Sequence, residues 1–228
     1  PFTASRPVIA IDARGQGRSG GVDGELSYER MADDAAAVLA ELGVKKADVL
    51  GYSMGGTMAI ALAVRHPDKI DKQVILSGTS RLDGWYPEVL DAIGKLTPEV
   101  FAGSPIESEY KRLSPSPKKF AAMIEKVKAL ETKPLSWSDE DVRRIRGKTM
   151  VIVGDADGVT LDHAIALFKL RGGGDVGAAT QGFLTAPPRA RLAILPATSH
   201  VGIMSETATI ATMVTPFLDD QAPPPPSF

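Results

Sequence analysis

Five short runs dominated by apolar residues set the strongest limit on how this chain can fold: Pro7–Asp12, Asp48–Gly51, Lys72–Ser77, Thr149–Gly154 and Ala190–Leu195. Each is too short for a stable helix. Their apolar residues follow one another rather than alternate, so strands built from them must be buried on both faces. Helical spacing fills much of the chain between the runs. Ser27 precedes a helix that places Met31, Ala35, Val38, Leu39 and Leu42 on one face, and Gly43 follows where a helix C-terminus favours glycine. Gly55 to Arg65 is a small-residue helix stopped by Pro67, and Leu161–Leu170 and Glu206–Leu218 also have helical character. Strands that alternate with helices predict an α/β fold with a mostly parallel sheet and helices on both faces.

Residues 80–145 break this rhythm. They hold Pro87, Pro98, Pro105, Pro115, Pro117 and Pro134, helical pieces and no convincing strand. The organisation expected is a core in two parts, 1–79 and 146–220, with 80–145 inserted between them and packed over the sheet. Trp85, Tyr86, Phe101, Phe120 and Trp137 supply that insertion with a small core, and one or two of them are candidates to line a pocket. Residues 221–228, with four consecutive prolines, read as an extended tail. The 26 Lys and Arg against 28 Asp and Glu leave a net charge of -2, so no basic face recruits nucleic-acid phosphates. The chain has no cysteine, which excludes disulfides, thiolate metal sites and cysteine nucleophiles. No run of about 18 apolar residues offers a membrane span. A cytoplasmic location is the default expectation, and association of identical copies is left open.

Gly51-Tyr52-Ser53-Met54-Gly55 is a G-x-S-x-G run with a strand before it and a helix after it. A sharp strand-to-helix turn strains its central residue, and glycine on both flanks removes side chains that would clash there. Ser53 would then stand above the sheet edge at a helix N-terminus, with the backbone N–H of Met54 aimed at a developing oxyanion. A serine hydroxyl needs a positioned base to act as a nucleophile. Of the three histidines, His66 lies at the far end of the helix after Ser53, and His163 lies in a helix start where a surface position is expected. His200 follows the fifth strand, in a loop at the end of a parallel sheet where ligands gather, and is the candidate base. Its orienting carboxylate is expected in Gly154-Asp155-Ala156-Asp157-Gly158, after the fourth strand. Asp157 is preferred and Asp155 is the alternative; the other carboxylate would bind its own loop backbone.

These residues give the chain a resemblance to the α/β-hydrolase superfamily over nearly its whole length. The order Ser53, Asp157, His200 is that family's order. Asp12-Ala13-Arg14-Gly15-Gln16-Gly17-Arg18-Ser19 resembles the family's D-x-R-G-x-G-x-S turn, and His66-Pro67 and Leu195-Pro196-Ala197-Thr198-Ser199-His200 are similar to further family segments. The resemblance implies an esterase- or lipase-like serine hydrolase with a small helical cap over 80–145. Its substrate would be a small-molecule ester, with no metal or organic cofactor, and Asp12 and Arg14 would have structural roles. Lactonase, perhydrolase and C–C bond hydrolase chemistry would use the same groups, and a hydrolase-fold binding protein with little turnover is the alternative from another class. The resemblance also implies that Pro7–Asp12 is the family's fourth strand and that strands one to three are absent, with the loop supplying a second oxyanion donor. The fold is then N-terminally incomplete, and a further N-terminal segment is expected.

Overall fold

The computed structural model describes residues 2–184 and 186–221. Its sheet consists of β1 (Ala47–Tyr52), β2 (Ile70–Leu76), β3 (Lys148–Ala156) and β4 (Ala190–Ser199), all parallel and in the order β1-β2-β3-β4. Register aligns Tyr52 with Leu76 and Leu76 with Ile152, so the C-terminal ends of β1 and β2 lie beside the middle of β3, which runs four residues further. Loops leaving these ends open onto the same rim of the sheet.

Strand parity explains why the apolar runs are continuous. On one face Ile75, Val151 and Val153 pack against α1 (Tyr28–Glu41), α2 (Met54–Arg65) and α7 (Leu161–Leu170). On the other, Val74, Leu76, Met150 and Ile152 pack against Ile210, Val214 and Phe217 of α9 (Thr207–Leu218). Neighbouring residues therefore enter different cores, and both must be apolar. In α1 the buried stripe is Met31, Ala32, Ala35, Ala36 and Leu39, capped by the Ser27 side chain. Leu42, expected on that stripe, lies just past the helix and is exposed.

Between Pro87 and Arg144 the regular elements are helical: α3 (Pro87–Gly94), α4 (Pro105–Leu113), α5 (Phe120–Glu131) and α6 (Asp139–Arg144). Phe120 packs edge-on against Phe101 at 6.3 Å and against Tyr110 at 5.3 Å. Trp137 meets Tyr28 of α1 edge-on and donates its indole N–H to Ser80 O. Tyr86 is exposed, whereas Trp85 is buried. A short helix, α8 (Val176–Gln181), follows α7 and was not expected from the sequence.

Two expectations are corrected. Pro7–Asp12 is not a strand: the sheet has four strands among the described residues, and β1 pairs only with β2. Val8, Ile9 and Ile11 are exposed, as is Leu50 on β1. Hydrophobicity marks a segment for burial but supplies no ladder partner, and a strand needs both. His163 is not on the surface. It is buried beneath Gly84, and its Nε2 accepts the Ser80 N–H. Burial, helped by the nearby Arg81 charge, lowers its pKa to about 4. The expected Pro-rich tail, 221–228, lies outside the described residues except for Gln221. Among the described residues no helix is long and apolar enough to cross a membrane.

Candidate active site

Ser53 is the single residue between β1 and α2, and its φ of 54° lies in the left-handed region that side-chain-bearing residues seldom occupy. The turn is held by its neighbours. Ser53 N–H donates to Leu76 O on β2, and the N–H groups of Gly56 and Thr57 donate to Ser53 O. A Cβ at Gly51 would lie 2.0 Å from Gly55 O, so only glycine fits there. The second flanking glycine, Gly55, faces open space; the close approach instead involves Gly56, packed on Gly78. The expectation that both flanks of the G-x-S-x-G run are sterically required therefore holds for Gly51 and fails for Gly55. Met54 begins α2, so its N–H has no partner within the helix.

The Ser53 hydroxyl does not cap α2; its Oγ lies 2.9 Å from His200 Nε2. His200 follows β4, and its carbonyl accepts the Tyr52 hydroxyl at 2.9 Å. Its ring lies between Tyr52, with centroids 5.3 Å apart, and the edge-on ring of Trp85 at 5.2 Å. His200 Nδ1 is 2.8 Å from Asp157 Oδ1. The structure thus brings Ser53, His200 and Asp157 into one hydrogen-bonded row from three separate strand ends.

Asp157 has no side-chain exposure. Its Oδ1 also accepts the Val159 N–H at 3.0 Å, and Oδ2 accepts Ser77 Oγ–H at 2.5 Å and, more weakly, the Gly154 N–H at 3.5 Å. Burial alone would raise its pKa. The hydrogen bonds from His200, Ser77 and Val159 outweigh that and hold it below the usual carboxylate range. An ionised carboxylate only accepts, so Nδ1 carries the hydrogen and Nε2 is free to accept from Ser53. Asp155 does not reach the histidine. Its Oδ1 accepts the Thr198 N–H at 3.1 Å, and backbone hydrogen bonds from Ala197 and Thr198 lower its pKa.

A cavity of about 440 Å³ lies beside Ser53, with Ile11, Gln16, Met31, Met54 and Met58 in its wall. Asp12 also lines it and accepts the Arg18 N–H, while Arg14 forms a two-pronged bond to Asp34 on α1. From the helices between β2 and β3, Glu131 of α5 accepts the Tyr28 hydroxyl at 2.7 Å. Burial raises the Glu131 pKa, opposed by the Tyr28 bond and by the charge of His200. Sequence reasoning missed Ser77, Tyr52 and Glu131 as neighbours of the site. A serine directly after an apolar strand and before Gly78 was the available signal for Ser77. Away from the site, His66 pairs with Asp33 at 2.7 Å. Among the described residues no group of three or more His, Asp or Glu side chains could hold a metal ion.

A model of the alpha/beta hydrolase fold matches residues 3–155, a stretch that includes Ser53 and ends before Asp157. The provisionally assigned carbamate hydrolase RutD of Caulobacter segnis is 43% identical over 84 residues, 36% of this chain and 32% of that protein. The 2-hydroxymuconate semialdehyde hydrolase of Pseudomonas putida is 29% identical over 171 residues, 67% of this chain and 61% of that one. The matched stretch is therefore about a third of the first relative's length and under two thirds of the second's. Among solved structures, a thermophilic esterase from Thermogutta terrifontis superposes with a TM-score of 0.63 at 21% identity, covering 91% of this chain and 77% of that one. The meta-cleavage product hydrolase CumD of Pseudomonas fluorescens gives 0.59 at 20% identity, covering 86% and 73%. These likenesses establish the fold.

Proposed function

Because the chain belongs to the α/β-hydrolase fold family, we propose that it is a serine hydrolase of carboxylic esters, with Ser53 as nucleophile, His200 as base and Asp157 as orienting acid. The observation that carries this reading is the continuous row from Ser53 Oγ through both ring nitrogens of His200 to Asp157, at 2.9 and 2.8 Å. Ser53 Oγ attacks the ester carbonyl carbon while Nε2 takes its proton. Asp157 stabilises the imidazolium, and the Met54 N–H at the head of α2 donates to the oxyanion. The imidazolium then protonates the departing alkoxide, leaving an acyl group on Ser53. His200 next deprotonates a water that attacks the acyl carbon. The acid departs, and the proton returns to Ser53.

We read residues 80–145 as a cap. Supporting this, Trp85 packs on the His200 ring and half-buried Glu131 of α5 accepts the Tyr28 hydroxyl of α1. The cavity beside Ser53 favours a neutral acyl group. Its wall includes three methionines and no lysine or arginine among the described residues, and its one carboxylate, Asp12, would repel an anion. Hydrolysis of a C–C bond by the same three residues is the second reading, favoured by the Pseudomonas putida relative that matches 67% of the chain.

A p-nitrophenyl ester series and a fluorophosphonate probe test the assignment. The expected result is turnover of p-nitrophenyl butyrate, with the probe attached to the peptide carrying Ser53. Ser53→Ala is expected to abolish labelling and lower kcat by several orders of magnitude with the fold intact. Attachment of the probe elsewhere, or near-normal turnover by Ser53→Ala, would refute it.

A further inference from the structure

Asp157 is held by a side chain that the reaction steps do not use. Ser77 is the first residue after β2, the strand between the one that ends at Ser53 and the one that leads to Asp157. We propose that Ser77 is a positioning residue for the site, fixing the Asp157 carboxylate in its ionised form and in the orientation that His200 requires. The proposal rests on the reading of Ser53, His200 and Asp157 given above.

Three observations carry it. First, Ser77 is buried and its hydroxyl lies 2.5 Å from Asp157 Oδ2, the oxygen that His200 does not use. That oxygen's other contact is the Gly154 N–H at 3.5 Å, so Ser77 is its principal donor. Second, Ser77 adopts φ 49°, a left-handed conformation that costs a side-chain-bearing residue of the order of 1 kcal/mol or more and favours glycine. A serine therefore stands where glycine would fit best, with its hydroxyl on the carboxylate. Third, the backbone there is clamped. Ser77 N–H donates to Ile152 O on β3 at 2.9 Å, and Thr79 N–H donates to Thr57 Oγ1 on α2. A Cβ at Gly78 would lie 2.8 Å from the Gly56 backbone. The hydroxyl is therefore presented to the carboxylate by a support with little freedom to shift.

Without this donor the buried carboxylate becomes more basic, and the His200–Asp157 pair takes up a proton at higher pH. The other groups near the pair are Tyr52 at the end of β1 and Glu131 on α5, while Asp155 on β3 is turned to the Thr198 N–H. None is altered by a substitution at residue 77, so a change in the pair's titration reports Ser77.

The test compares the unmodified protein with Ser77→Ala and Ser77→Gly, measuring kcat/KM for p-nitrophenyl butyrate and the rate of fluorophosphonate labelling from pH 5 to 9. Both variants are expected to move the acid limb of each profile upward by about one pH unit, with activity at pH 9 recovering toward that of the unmodified protein. Glycine relaxes the left-handed backbone, so Ser77→Gly keeps the measurement available if Ser77→Ala folds poorly. Loss that is uniform across pH, or profiles that superimpose on the unmodified protein's, would overturn the proposal while labelling at Ser53 persists. Absence of labelling at Ser53 in the unmodified protein would overturn this proposal and the hydrolase reading together.

Discussion

Replacing Asp157 by asparagine separates charge from hydrogen bonding at the site. Oδ1 accepts from His200 Nδ1 and the Val159 N–H, while Oδ2 accepts from Ser77 and, at 3.5 Å, from the Gly154 N–H. An asparagine side chain must place its NH2 on one of these sides. Facing Val159 it would oppose an N–H that cannot turn away. Facing Ser77 it meets a hydroxyl that can rotate and accept, and the opposed Gly154 contact is weak. The amide oxygen is therefore expected to stay on His200, preserving the tautomer, and what is lost is the negative charge. A carboxylate and an imidazolium with charge centres about 4 Å apart attract by about 4 kcal/mol at an effective dielectric near 20. The amide dipole recovers part of this, leaving a barrier increase of about 3 kcal/mol, or roughly 10²–10³ in rate.

Asp155→Asn is the matched control. Its oxygen continues to accept from the Thr198 N–H, so less than about a tenfold loss is expected. The assay is kcat for p-nitrophenyl butyrate at pH 8, with circular dichroism and a thermal melt to confirm folding. Asp157→Asn within tenfold of the unmodified protein, or equal losses in the two variants, would refute the assignment of Asp157 and the charge argument with it.

Three further outcomes are expected. His163 is neutral in the fold, with a pKa of about 4 against 6.5 for the free side chain, so the unfolded chain binds the extra proton between these values and stability falls as pH drops through that window. The loss between pH 7.5 and pH 5 is about 2 kcal/mol; urea denaturation at both pH values should show that component missing from His163→Gln. Arg171, 1% exposed, donates to the carbonyls of Val142, Arg143, Ile145 and Gly147 and to Thr149 Oγ1; Val142 O keeps the Ile145 N–H, Ile145 O keeps Arg189 and Thr149 Oγ1 keeps Gln73, so Arg171→Met strands chiefly the Arg143 and Gly147 carbonyls and is expected to cost about 3–5 kcal/mol by denaturant titration. Gly51→Ala drives a methyl group into Gly55 O and is expected to remove activity and labelling, whereas Gly55→Ala, with open space at its Cβ, should keep most of both; equal damage in an activity assay would contradict the geometry of the turn.

What the sequence revealed, and what it concealed, follows from how far each interaction reaches along the chain. Strands β1 to β4 fall on four of the five apolar runs, and in the central pair β2 and β3 burial on both faces is written into consecutive residues: Val74 and Ile75 are neighbours that enter different cores, whereas the edge strands β1 and β4 leave Leu50 and Ile194 exposed. The Ser53 turn is equally local, since Gly51 and Gly55 are four residues apart and a Cβ on the first would run into the backbone of the second. The separation of Asp155 from Asp157 was also partly readable, because one of two carboxylates in a short loop is free to bind backbone.

Pairwise facts were not readable in this way. Pro7–Asp12 has the composition of a strand, but pairing depends on what lies beside it, and Val8 and Ile9 are exposed. His163 carries a helix-start pattern that places it on a surface, yet Ser80, 83 residues away in sequence, donates to it from the loop after β2. Ser77 shows the same limit at the site. Its link to Asp157 spans 80 residues and exists only because β2 lies between β1 and β3. Residues that perform a reaction step are constrained by chemistry to a few types and can be found by type. Those that position them are constrained only by place, so an ordinary serine at a strand end becomes informative once strand order puts its hydroxyl on the buried face of a carboxylate.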